Sequence, residues 1–153
     1  MDALQMLKDD HDKVKTLLAD GESTTERGEK TRTELFARLK GELEIHEEIE
    51  EQVFYPALKE HPKAKEIVLE GFEEHHVVDT IMGELERTPV SDEQWGAKFT
   101  VMKENVEHHI EEEEGEMFKN ARSVFSREEL QELGDRMAAL KRDLQARAAA
   151  RDR

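Results

Sequence analysis

Cysteine is missing from all 153 residues, which removes disulfides, zinc–thiolate sites and iron–sulfur clusters from consideration. Proline and glycine are scarce, at 3 and 8 residues, and aromatics make up only 5%. With 40% charged residues, that profile predicts long amphipathic helices. No stretch approaches the roughly 18 apolar residues of a membrane span. The N-terminus, MDALQMLKDDH, has no basic region leading into an apolar run, so a signal peptide is not expected. Positive charge is also short, with 23 Lys and Arg against 38 Asp and Glu, a net charge of -15. That sign disfavours nucleic acid and anionic membrane surfaces as partners. The expectation is a soluble, cytoplasmic chain of one domain, long enough for a single core.

What is present is a set of apolar seams with polar interruptions. Around HEEIEEQVFYP, the positions Phe36, Leu39, Leu43, His46, Glu50, Val53 and Ala57 follow one another at alternating spacings of three and four. This is the stripe a bundle helix turns toward its partners. An imidazole and a carboxylate occupy successive positions in it, and a buried carboxylate is costly unless paired or bound to a metal.

The same pattern recurs along the chain. A first helix, about residues 2–20, has the seam Leu4, Leu7, His11, Val14, Leu18, and a Gly-bounded polar loop follows at 21–28. The second helix, about 29–59, carries the opening motif, with Pro56 expected to kink it or begin its end. A third helix, about 63–86, reads Val68, Gly71, His75, Val78, Met82, Leu85. Ser91 with Gln94 reads as a capping box for a fourth helix with seam Trp95, Phe99, Met102, Val106, His109, Glu113, Met117. Ser126 with Glu129 caps a fifth, purely apolar seam of Leu130, Leu133, Met137, Leu140 and Leu144. That seam must be covered by its own bundle or across a dimer, and the tail QARAAARDR is expected to fray.

The chain also repeats itself. His11 to His46 spans 35 positions and His75 to His109 spans 34, and HEEIEEQVFY aligns with HIEEEEGEMF. The unit is a helical hairpin with His on its first helix and His-x-x-x-Glu on its second. Two such units face to face place four histidines and two carboxylates at the centre of one bundle. That inventory suits two metal ions sharing two carboxylate bridges, and the ligand types fit iron, manganese or zinc. The ferritin-like Glu-x-x-His pattern fits poorly, because only Glu73-x-x-His76 matches it and its partner is missing.

DDH at 9–11, H-x-x-x-E-E-x-x-x-Y-P at 46–56, EEHH at 73–76 and H-x-x-x-E-E-G-E-M-F at 109–118 together resemble the hemerythrin family, specifically bacterial hemerythrin-like HHE domains. The resemblance implies an all-α, up-down four-helix bundle over residues 1–120, with 126–153 an added helix of the same domain. It also implies a non-haem diiron centre with an oxo or hydroxo bridge. Its metal ligands carry over to His11, His46, Glu50, His75, His109 and Glu113. Asp79 stands where oxygen-carrying hemerythrins have a further histidine, so the chain is closer to the H…HxxxE…H…HxxxE subgroup, which includes an iron-sensing domain of a vertebrate ubiquitin-ligase adaptor. That departure argues against reversible oxygen carriage.

Other residues compete for roles. His108 and Glu112 form a rival His-x-x-x-Glu pair, out of seam phase. His76 reads as solvated or as supporting a ligand, and His61 as a turn residue. Glu47 could add a carboxylate but reads as solvated face. Tyr55 lies half a turn out of phase, so packing is its expected role. The expected function is a diiron protein binding or reacting with dioxygen, peroxide or nitric oxide, as scavenger or as peroxide-decomposing enzyme, in a monomer or homodimer. The alternative is an iron- or oxygen-sensing module acting through a partner protein, and an acidic bundle with no metal is the remaining class.

Overall fold

The computed structural model describes residues 1–152, and no strand occurs among them. Helix α1 (Ala3–Glu22) is followed by α2 (Glu29–Ile49), which runs through a π-helical turn at Glu50–Phe54 into α3 (Tyr55–Lys59). A short 3-10 turn, Pro62–Ala64, leads into α4 (Lys65–Arg87). Then α5 (Glu93–Glu112) continues through a second π turn, Glu113–Met117, into α6 (Phe118–Val124), and α7 (Arg127–Arg151) closes the chain. The two π-interrupted rods act as single bundle helices, so four antiparallel rods form the bundle. Contacts of α1 with α2, α3 with α4, α4 with α5 and α5 with α1 close the ring. The fifth rod, α7, lies across α1 and α2, so the apolar seam of Leu130, Leu133 and Met137 is covered within its own bundle.

Capping chemistry sets the ends. Asp2 accepts from the Gln5 N–H, and Ser126 with Glu129 forms a reciprocal capping box for α7. The Ser91 box expected for α5 does not form. Asp92 is the N-cap and accepts from Gln94 N–H at 2.8 Å, because the turn ending in Asp92 N–H to Pro89 O carries the chain one residue further. The tail does not fray at Gln145 either. Alanine and arginine are strong helix formers, and an Arg147–Asp143 pair at 2.7 Å spans one turn there; α7 runs to Arg151, and Arg153 lies outside the described residues.

The π turns are the departure from simple periodicity with the largest effect. In the first, the Tyr55 N–H reaches back to Glu50 O, five residues away instead of four. The widened turn comes just before Pro56, which has no N–H to offer, and the rod continues to Lys59. One extra residue in the turn also rotates the helix beyond it. Tyr55 and Leu58 are fully buried, and Ala57, expected in the seam, is only half-buried. The second turn does the same, with Phe118 N–H reaching Glu113 O.

The apolar core falls into two parts. One gathers Leu4, Leu7, Phe54, Leu58, Val68, Met117 and Phe118 with α7; the other gathers Val14, Leu18, Leu39, Met82, Trp95, Phe99 and Val106. Between them lies a layer of buried polar side chains.

Candidate metal centre

That layer brings together His11, His46, Glu50, His75, His109 and Glu113, all at most 7% exposed. Each histidine takes the seam position between apolar neighbours, so packing above and below turns its ring inward. His11 and His46 meet edge to face with centroids 4.9 Å apart, and His75 and His109 do so at 5.0 Å. The two carboxylates run between these pairs. Glu50 Oε1 lies 3.2 Å from His46 Nε2 and 3.0 Å from His75 Nε2. Glu113 places Oε1 3.0 Å from His11 Nε2 and Oε2 3.1 Å from His109 Nε2. Each carboxylate therefore spans one histidine from each hairpin, and the arrangement has an approximate two-fold axis.

The outward nitrogens obey the same symmetry. His46 Nδ1 faces Asp10 Oδ2 at 3.1 Å and His109 Nδ1 faces Glu74 Oε1 at 2.8 Å. His75 Nδ1 faces Glu51 Oε2 at 2.7 Å, and His11 Nδ1 faces Glu114 Oε2 at 2.7 Å. With a carboxylate on every Nδ1, the neutral ring favours the Nδ1–H tautomer, and every Nε2 faces inward. These four acids were not visible in the sequence as site residues. Each adjoins a seam residue of one helix but serves a histidine on another.

The layer attracts cations. Burial pulls the His46 and His109 imidazoles down, but Glu50 and Asp10 beside the first, and Glu113 and Glu74 beside the second, outweigh it and hold both well above the ordinary histidine range. Burial raises Glu113, yet its contacts with Glu50, His109 and His11 keep it well below the usual carboxylate range. His11 Nε2, His46 Nε2, Glu50 Oε2 and Glu113 Oε1 are buried without a well-directed hydrogen bond, although His11 Nε2 and Glu113 Oε1 stand 3.0 Å apart and His46 Nε2 is 3.2 Å from Glu50 Oε1. Buried polar atoms are rarely left so, and a metal ion is what this donor set fits. Two groups, His11–His46–Glu50–Glu113 and Glu50–His75–His109, each hold their ligand-type atoms within 4.8 Å of one another.

Tyr55 corrects the expectation of a packing role. The π turn swings it inward, where its hydroxyl donates to Glu113 Oε2 at 2.7 Å and lies 3.4 and 3.3 Å from Nε2 of His75 and His109. Its ring stacks on His75 at 5.3 Å, as Phe118, its counterpart in the other repeat, stacks on His11 at 6.3 Å. Gly71 makes room for it: a Cβ there would lie 2.9 Å from the hydroxyl.

Glu47 is also corrected, from solvated face to 7% exposed. Burial and the neighbouring Asp79 push its carboxyl up to about 10. It lines a small inner cavity of about 20 Å³ with the four histidines, Val78 and Val106, and also a wider outer pocket with Asp79. His76 is exposed, and His61 packs edge-on against Phe125 at its turn. The rival pair His108 and Glu112 points to solvent, 3.1 Å apart and 66% and 45% exposed.

Comparison with known proteins agrees with this architecture. The hemerythrin HHE cation-binding domain model matches residues 2–121. The uncharacterized protein Rv2633c of Mycobacterium tuberculosis and an uncharacterized protein of Mycobacterium bovis are each 35% identical over 144 residues, covering 91% of this chain and 84% of theirs. The crystal structure of a hemerythrin HHE cation-binding domain-containing protein from Mycobacterium kansasii, described as an Rv2633c homolog, superposes with a TM-score of 0.87 at 31% identity, covering 98% of this chain and 91% of that one. A bundle of two repeated hairpins closing on a buried His/Glu layer thus has its place among known folds: the chain belongs to the hemerythrin HHE cation-binding domain family.

Proposed function

We propose that His11, His46, Glu50, His75, His109 and Glu113 hold two iron ions, with His11 and His46 on one, His75 and His109 on the other, and the two carboxylates shared. The observation that carries this is the convergence of buried histidine nitrogens and carboxylate oxygens between the two histidine pairs, four of them without a well-directed hydrogen bond. Imidazole with carboxylate suits iron without demanding it, and the family supports cation binding.

The reading extends to small oxidants: dioxygen, hydrogen peroxide or nitric oxide. When bound, the iron pair would supply electrons to such a molecule. The chain's own residues select it and manage its protons. The inner cavity of about 20 Å³ is close to the space one water requires, and Val14, Leu43, Val78, Val106 and Ile110 give it apolar walls. Tyr55 keeps a proton on its hydroxyl, because burial and the nearby Glu113 and Glu50 raise it well above the ordinary tyrosine range. That proton is held toward Glu113 at 2.7 Å. Asp79, where a further histidine would stand in oxygen carriers, is exposed beside Glu47 and does not join the histidine layer. Reduced protein mixed with oxygen is therefore expected to pass to the diferric form, and the protein to consume peroxide or bind nitric oxide.

Elemental analysis should find about two irons per chain, and a chelator should lower the melting temperature, since binding to the folded state alone stabilises it. Absence of any transition metal, with melting unchanged by chelator, would sink the proposal. Stopped-flow spectra test the reactivity: a stable oxygenated species that reverts under vacuum, without peroxide turnover, would overturn that part alone.

A further inference from the structure

The two halves of the metal layer match closely except in three places. Two are Tyr55 against Phe118 and Glu47 against Ile110. The third lies outside the span of the family model, on α7: Lys141 Nζ stands 2.6 Å from Asp10 Oδ1, while Asp10 Oδ2 holds His46 Nδ1 at 3.1 Å. Among the described residues, Glu51, Glu74 and Glu114 make no ion pair with a lysine or arginine. The side chains of those three are 38%, 28% and 23% exposed, so water moderates their charge, whereas that of Asp10 is 8% exposed. A carboxylate so buried needs a fixed partner.

We infer that Lys141 is a positioning residue that makes the two iron positions inequivalent, raising the reduction potential of the one beside His11 and His46. This rests on the diiron reading above. Two effects act in the same direction. A fixed cation behind His46 favours the less positive, reduced state of a nearby metal. A carboxylate shared with a lysine also draws less on the imidazole N–H, so His46 donates less charge inward. On the opposite half, Glu74 faces His109 with no such cation, and that position keeps the lower potential.

The test is a redox titration of iron-loaded wild type, Lys141→Met and Lys141→Arg, followed optically. In wild type the two one-electron steps should separate. In Lys141→Met the upper step should fall by about a tenfold change in its equilibrium, or 59 mV, while the lower step stays. Lys141→Arg should retain wild-type values. Lys98→Met, which removes an equal charge paired with Glu84 away from the layer, should move neither step. Should Lys141→Met fail to fold, Lys141→Gln keeps an N–H donor for Asp10 while removing the charge. Steps that stay unmoved in folded, iron-loaded Lys141→Met or Lys141→Gln would overturn the inference alone. Wild type that takes up no iron would overturn it together with the reading it rests on.

Discussion

Tyr55 and Glu113, 58 positions apart, are joined by a buried hydrogen bond of 2.7 Å that links one repeat to the other. Replacing Tyr55 by Phe removes the donor and keeps the ring on His75. A hydrogen bond to a charged group contributes about 1.5–3 kcal/mol, so metal-free Tyr55→Phe should lose about that much in urea denaturation. Gly71→Ala should act through the same bond, because its Cβ would lie 2.9 Å from the hydroxyl and 3.0 Å from Cζ. The two changes share a partner, so the double variant should lose less than their sum. Strict additivity would show that Gly71 does not hold Tyr55 in place.

The phase of α5 has a direct test. His109→Ala and Glu113→Ala should abolish the near-ultraviolet charge-transfer bands of the iron-loaded protein. His108→Ala and Glu112→Ala, which alter exposed side chains, should leave most of them. The reverse result would place the wrong residue pair at the centre.

Much of this layer was legible in the sequence, for a physical reason. Burial at three- and four-residue spacing determines which side chains face inward, and His11, His46, Glu50, His75, His109 and Glu113 keep that spacing with Leu, Val and Phe. Tyr55 was misread because an i to i+5 turn leaves no mark in hydrophobic spacing, so the phase was carried one residue too far around the helix. Asp10, Glu51, Glu74 and Glu114 could not be read because each acts across a helix interface. In a chain with 38 acids, adjacency to a histidine singles none of them out. Glu47 was hidden similarly, since its neighbours, Asp79 among them, come from another helix.

Glu47 also gives a pH signature. Its carboxyl is raised from 4.5 to about 10, so between those values the folded chain holds a proton that the unfolded chain has released. Stability therefore falls with rising pH across that window. Metal-free Glu47→Gln, which mimics the protonated acid, should flatten this slope in melts taken from pH 5 to 9. Glu47→Ala should instead join the outer pocket to the inner cavity and speed removal of iron by a chelator. Identical slopes in wild type and Glu47→Gln would show that Glu47 is ionised in the fold.

Docking of α7 depends on a close backbone approach. A Cβ at Gly134 would lie 2.5 Å from Met1 O and 2.8 Å from Asp2 C, neither of which is a flexible side-chain end. Overpacking of this kind costs about 1–3 kcal/mol, and Gly134→Ala should lower the melting temperature accordingly. Ser126→Ala removes the capping box of the same helix, at about 1 kcal/mol. Calorimetry showing no loss in either variant would mean that α7 contributes little to the stability of the bundle.

The crossed reach of Glu50 and Glu113 makes metal a stitch between the two hairpins. A fragment cut at the Pro62–Ala64 turn would keep His11, His46 and Glu50 but lose Glu113, the carboxylate that meets His11. The complementary fragment would keep His75, His109 and Glu113 and lose Glu50, which meets His75. Neither piece carries a full set of donors, so reassembly of the severed halves and capture of the ions become one equilibrium. Metal concentration would then set how tightly the halves adhere.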